Sequence, residues 1–388
     1  MKTRIVILGA GFGGMELSTI LSEEVPDEAD VTLIDQSDNF VFGYAKLDVM
    51  FGRTTAEAVR LPYADFVKPG VELVHDTVLA IDPERRHVDT ASSSFDADVL
   101  VIALGADYDL AATPGLTAAD DFYSVTGAAG MRARIDAFSS GSAVVGVCAA
   151  PYKCPPAPSE CALLLHDSLV RRGVRDRCEI TLVLPFGRPI PPSPDTSDAL
   201  LTAFAERDIA FVPSTKVRAL DRERGMVAFE SGDELAYDFF LGVPKHRAPE
   251  VVVASGLTDD GYVPVDSGTL ETRYPGVYAI GDVATQGTPK AGVFAEGAAR
   301  ALAATLIGQI RGDDAAGTHT GKGSCFIEFG AGRIGRVDID FLSGPSPTGT
   351  FQEPSPLLRA EKDDFGSSRR ARWFGHGARE AAGDVALR

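Results

Sequence analysis

Val6–Leu17 reads VILGAGFGGMEL, and the fold turns on this stretch. Gly9, Gly11 and Gly14 hold the three glycine positions of a G-x-G-x-x-G turn, directly after an apolar run and directly before a helix-forming one. Glycine at the first two positions lets the backbone turn tightly and come close to a pyrophosphate, whose charge then rests on a helix N-terminus. Asp35 closes the next apolar run, 21 residues past Gly14, where a carboxylate accepts both hydroxyls of a ribose. The spacing predicts a strand over 4–8, a helix over 14–23 and a strand over 30–34.

Outward from this unit, runs rich in Val, Ile and Leu alternate with helix-length segments, the pattern of a parallel sheet covered on both faces. Residues 71–88 read as a small antiparallel meander and 99–104 as a third parallel strand. A second βαβ unit follows, with a strand over 143–148, a helix over 159–172 and a strand over 180–184. Five prolines make 185–194 an irregular connection. The chain is expected to return to the first domain near 244–251 and to close it with a strand over 277–280 and the helix after Pro289. Beyond Arg311 come two strand-like runs, 324–329 and 333–341, a Pro/Gly/Ser stretch and a charged terminal helix. The expected class is α/β: two Rossmann-like, doubly wound parallel-sheet domains plus a small C-terminal α+β region.

A second signature specifies the dinucleotide. TRYPGVYAIGDVA (272–284) ends an apolar run in Gly281 and Asp282, a carboxylate placed to hydrogen-bond the ribityl chain of a flavin, which NAD lacks. The helix beginning near Ala291 would direct its N-terminal dipole at the flavin pyrimidine edge. FAD is therefore the expected cofactor. Residues 1–112 and 246–310 are assigned to its domain, 113–245 to the second Rossmann-like domain, and 311–388 to a C-terminal interface and acceptor region.

The second unit is informative through what it lacks. Its turn reads VVGVCAAPYKCPPAPSE (144–160): no glycine follows Gly146, and Pro151, Pro155, Pro156 and Pro158 remove backbone donors that a pyrophosphate needs. The next strand ends in Pro185 and Phe186 rather than in a ribose-binding acid. The nicotinamide site is expected to be degenerate. In its place stands Cys154, just before a helix, where the helix dipole and Lys153 would lower a thiol pKa, with Glu160 six residues on as a proton acceptor. A second candidate, Cys325, lies in GKGSCFIEFG (321–330). Sequence alone does not pair two cysteines 171 residues apart.

PYKCPPAPSE followed by the late CF resembles the sulfide:quinone oxidoreductases and the flavoprotein subunit of flavocytochrome c sulfide dehydrogenase, over about residues 2–345. LVIALGA (100–106) and PKAGVFAEGAARALA (289–303) match flavin-contacting segments of the same superfamily, whose two-domain fold is of the glutathione-reductase type. The resemblance implies a redox-active disulfide between Cys154 and Cys325. Sulfide would open it, Cys154 would carry the sulfane sulfur, Cys325 would attack the flavin C4a, and Glu160 would serve as acid and base. It further implies Lys290 near the flavin ring, Phe326 at the acceptor pocket, and a quinone-like acceptor.

Bulk properties narrow the partners. The net charge of −18 argues against nucleic acid, and it is uneven: residues 357–388 hold seven basic and five acidic side chains, about +2 against about −20 for the rest. Cys148 reads as core, Cys161 as either a backup thiol or a helix face, and neither Cys178 nor the histidines have metal-ligand spacing, so no metal site is assigned. A strand pattern from Arg4 leaves no room for a signal core, which predicts a cytoplasmic protein. RRARWFGHGAR (369–379) reads as a terminal helix docked on its own domain, with peripheral membrane contact through Trp373 and Phe374 as the alternative. A homodimer stays open. Two other functions stay open at this point: an NAD(P)H-dependent disulfide or quinone reductase on the same fold, and a flavin-binding electron-transfer subunit or redox sensor whose acidic body steers a basic protein partner.

Overall fold

A computed structural model describes residues 2–313 and 317–375. The glycine unit folds as its spacing predicts, with β1 Thr3–Leu8, α1 Phe12–Glu24 and β2 Ala29–Asp35. A short helix, α2 Ala45–Met50, follows, then β3 Val71–His75 and β4 Val99–Ile102. The second unit is β5 Gly141–Val147, α3 Ala157–Arg171 and β6 Cys178–Val183, extended by β7 Ile209–Val212 and β8 Phe239–Val243. The chain then contributes β9 Val277–Ala279 and α4 Gly292–Arg311. Last come β10 Lys322–Glu328, β11 Ile334–Asp340, β12 Thr348–Ser355 and α5 Leu358–Phe374.

Two parallel sheets result. The first has the order β9-β4-β1-β2-β3, so a strand from late in the chain completes the edge beside β4. The second has the order β7-β6-β5-β8. Ile5, Ile7, Leu8, Val101 and Ile102 in the first sheet and Val144, Val145 and Leu182 in the second are fully buried, because helices cover one face of each sheet and antiparallel strands, within 78–96 and 217–236, pack on the other. β10, β11 and β12 form a separate antiparallel sheet.

Two expectations need correction, and one alternative loses its anchors. Val71–His75 was expected in the meander; it pairs in parallel with β2 instead, and the meander is Val78–Asp82, His87–Thr90 and Ser94–Asp96. The Pro/Gly/Ser stretch contains a strand, β12, whose partner is β11. Trp373 and Phe374 do not face a membrane: both are buried, with Trp373 edge-on to Phe12 at 5.6 Å and to Phe40 at 5.5 Å. The terminal helix is docked on its own domain, and 376–379 of the basic segment lie outside the described residues. No described helix is long and apolar enough to cross a membrane.

That docking has a polar anchor. The Trp373 indole N–H donates to Oε2 of Glu16 at 3.0 Å, and Arg300 and Arg372 donate to the same carboxylate at 2.9 and 2.8 Å. Burial alone would push the Glu16 carboxyl up, but these donors outweigh it and hold it below the ordinary range. A buried carboxylate in the glycine helix is thus satisfied by two helices from the far end of the chain.

Candidate functional site

The glycine turn forms a cradle that tolerates no side chain at two of its three positions. A Cβ on Gly14 would lie 1.9 Å from the Gly9 carbonyl oxygen, and one on Gly9, whose φ is +100°, would lie 2.4 Å from that of Ala103. A Cβ on Gly11 would meet nothing within 4 Å, so its open side is the face a ligand approaches. Asp35 accepts from the N–H of Ala10 at 2.7 Å and of Ser37 at 2.8 Å, which leaves lone pairs on both oxygens for ribose hydroxyls.

A cavity of about 380 Å³ opens at this turn. Gly11, Gly281 and Asp282 line one side of it; Cys154, Glu160, Cys325 and Phe326 line it as well. Gly9, Gly14, Asp35 and Lys290 are not among its lining residues. The fit to FAD rests on two features. The N-terminal turns of α1 and α4 both border the cavity, through Gly11–Gly13 and Ala291–Val293. The Asp282 carboxyl faces it with no hydrogen-bond partner among the described residues, its pKa raised by burial, and so has its acceptor capacity free for a ribityl hydroxyl.

Lys290 is not among the lining residues, though its neighbours Asp282 and Ala291 are. Its ammonium donates to the Asp282 carbonyl oxygen at 2.6 Å and lies 3.4 Å from the centroid of the Tyr262 ring. Burial lowers its pKa to about 8. Its backbone matters to the cysteine: the carbonyl of Lys290 accepts from the N–H of Cys154 at 2.8 Å. Cys154 itself is held at a φ of +50°, a left-handed conformation uncommon for a side-chain-bearing residue.

The expected lowering of the Cys154 thiol pKa does not occur. Burial pushes it up first of all, and the neighbouring Glu160 and Cys325 push it further. Lys153 gives no relief, because its ammonium donates to the Ala106 carbonyl at 2.7 Å and covers the Tyr108 ring. Cys325 behaves alike, raised to about 12 by burial and then by Glu160. Both thiols are free. Cys148 and Cys161 are buried core residues of β5's end and of α3.

Glu160, in the first turn of α3, is buried and its pKa is raised to about 7, chiefly by desolvation. It accepts the backbone N–H of Glu328 at 2.9 Å. The Glu328 carboxylate is in turn gripped by Arg53 and by Lys362, which bring it down to about 2 against the opposing effect of burial. Arg53 also pairs with Asp48 at 2.7 Å. Sequence reading missed Arg53, Glu328 and Lys362. Three charges on three distant elements look like solvated surface until the fold joins them, and the one local hint was Glu328 three residues after Cys325.

In the second unit the degenerate turn is built as its prolines dictate. Pro156 precedes α3 and Pro158 lies in its first turn, so amides that would face a phosphate are missing. Gly146 serves packing: a Cβ there would lie 2.7 Å from the Phe240 ring and 2.9 Å from Val217.

Comparison with known proteins agrees with this geometry. The family model described as pyridine nucleotide-disulphide oxidoreductase matches residues 3–300. The chain is 25% identical over 357 residues to a sulfide-quinone reductase of Aquifex aeolicus, covering 85% of this chain and 82% of that one. It is 25% identical over 339 residues to a mitochondrial sulfide:quinone oxidoreductase of Dictyostelium discoideum, covering 84% and 75%. The solved sulfide:quinone oxidoreductase of Aquifex aeolicus shares the fold with a TM-score of 0.83 at 22% identity, over 95% of this chain and 91% of that one. With its glycine cradle, its free Asp282 carboxyl and two parallel-sheet units, the chain belongs to the pyridine nucleotide-disulphide oxidoreductase family and is an FAD-dependent oxidoreductase.

Proposed function

We propose that this enzyme oxidises sulfide, or a related small thiol or persulfide, through Cys154 and Cys325, and passes the electrons by way of FAD to a quinone-like acceptor. The observation that carries the reading is the convergence of two cysteines and a carboxyl of near-neutral proton affinity on the cavity that the FAD motifs border. The names of the relatives support the same donor and acceptor.

The residues divide the work as follows. With Cys154 and Cys325 joined as a disulfide, hydrosulfide attacks the sulfur of Cys154, the S–S bond breaks and Cys325 leaves with the electron pair. Burial makes a thiolate costly at either position, so charge does not linger there. Glu160, at about 7, both accepts the proton of the entering donor and returns one to a leaving thiolate within the working pH range. Gly11, Asp35 and Asp282 would hold FAD, which would supply the two-electron carrier between the cysteines and the acceptor. Phe326, edge-on to Phe365 at 6.1 Å, presents an apolar wall where the ring of an acceptor packs.

Anaerobic addition of sulfide to the FAD-loaded enzyme tests this directly. The flavin absorbance should bleach within the dead time of manual mixing and return when a soluble quinone is added. A flavin band that sulfide leaves intact at millimolar concentration rules the reading out.

A further inference from the structure

Three lysines line the cavity, and two are spoken for: the ammonium of Lys153 is bonded to the Ala106 carbonyl and that of Lys362 to Glu328. Lys46, in the first turn of α2, lines the same cavity as Cys154 and Cys325, is half-buried, and has no side-chain hydrogen bond or ion pair among the described residues. Its field reaches Cys154, where it acts to favour the thiolate, and it reaches Asp282 and His246.

The exchange step needs such a charge. A hydrosulfide or thiolate brings one negative charge into the cavity; it forms a new S–S bond to Cys154, the Cys154–Cys325 bond breaks, and the electron pair leaves on Cys325. One unit of negative charge is present before and after, and nothing is oxidised or reduced beyond the exchanged sulfurs. Against this charge the cavity sets Glu160 and Asp282, both acidic, and a wall that disfavours anions at both cysteines. An anion entering such a site without a cation to meet it carries an uncompensated desolvation cost. An ammonium with no partner among the described residues, lining the same cavity as the cysteines, offsets that cost.

We propose that Lys46 is the anion-binding residue of the donor pocket, so that the enzyme takes its sulfur donor as a small monoanion and selects against neutral thiols. The inference rests on the sulfur-oxidising reading for the identity of the donor, while the anion site itself can be measured without turnover.

The probe is thiocyanate, a linear sulfur-containing monoanion, titrated into the oxidised FAD-loaded enzyme while the flavin absorbance is followed. Wild type should show a saturable spectral change. Lys46→Met should bind thiocyanate about tenfold more weakly, as expected for loss of one charge-assisted contact, and Lys46→Arg should bind nearly as wild type. In stopped-flow reduction by sulfide, Lys46→Met should raise the half-saturating concentration by a similar factor while the limiting rate changes little. FAD content is measured on every variant. Thiocyanate affinity unchanged in Lys46→Met overturns the proposal, as does a loss of FAD in place of a loss of anion affinity. Were wild type to bind thiocyanate through Lys46 yet not be reduced by sulfide, the anion site would stand and the sulfide reading would fall.

Discussion

The backbone N–H of Glu328 donates to the carboxyl of Glu160 at 2.9 Å, while the side chain of the same Glu328 is pinned by Arg53 and Lys362. Residue 328 thus supplies Glu160 with both a donor and a negative neighbour. Burial dominates the balance and leaves Glu160 titrating near 7.

Flavin reduction by sulfide should therefore rise as pH increases through about 7, where Glu160 loses its proton. Glu160→Gln keeps the shape and the acceptor for the Glu328 amide but has no proton to lose. It should lower the rate by about 10²-fold or more and remove this limb of the profile, leaving only the ionisation of the donor. A stability measurement checks the cause. A carboxyl whose folded pKa is raised favours folding below its ordinary value, and that advantage is lost as pH climbs from there to about 7. Glu160→Gln should accordingly gain stability over wild type at pH 8 relative to pH 5, on the order of 2–3 kcal/mol by chemical denaturation.

Cys154→Ser and Cys325→Ser should each abolish sulfide-driven bleaching of the flavin, and the double variant should be no worse than either, because the two thiols act as one unit. All three should retain FAD, since the cradle and Asp282 lie outside the pair. Cys161→Ser should keep activity, its thiol being buried in the α3 core. Near-normal turnover by Cys154→Ser would remove the pair from the mechanism.

Alanine at the glycine cradle should separate folding from cofactor binding. Gly14→Ala forces a Cβ against the Gly9 carbonyl oxygen and should yield misfolded or insoluble protein. Gly11→Ala projects into open space and should fold normally, yet lose FAD on gel filtration. The two outcomes are read by circular dichroism and by the ratio of flavin to protein absorbance.

NADH and NADPH should not reduce the flavin rapidly under anaerobic conditions. The prolines flanking α3 and the packed Gly146 leave the second unit without a phosphate cradle. Stoichiometric bleaching within a second of mixing would show that a nicotinamide binds elsewhere.

Trp373→Ala should destabilise the protein by about 3–5 kcal/mol, the range for truncating a large buried aromatic residue, because the indole fills a cluster of three phenylalanines and serves Glu16. Thermal unfolding with and without FAD would report it.

Much of this was legible where the signal is local. Gly9, Gly11 and Gly14 announce their turn because glycine alone fits at the first and third and leaves the second open to a ligand, and Cys154 stands out because prolines replace glycines around it. Depth was not legible. The thiol that a helix and a lysine would have acidified is buried, and the lysine spends its charge on a carbonyl and a tyrosine ring. Long-range pairing was hidden too. Val71–His75 has the alternating look of an edge hairpin, and only its position beside β2 makes it part of the main sheet. Lys362 lies in the charged run RAEKDDF, where nothing marks it as the one residue that turns inward.

The bond between Glu16 and the indole of Trp373 spans 357 residues. A nascent chain leaving the ribosome exposes the glycine helix long before Arg300, Arg372 and Trp373, the partners of its carboxylate, have been translated. The N-terminal βαβ unit therefore cannot reach its final packing as an autonomous cotranslational module. A ribosome stalled before the terminal helix should hold a nascent flavin domain whose first helix is still open to protease, with FAD entering a site whose last wall, carrying Lys362 and Phe365, has yet to be made.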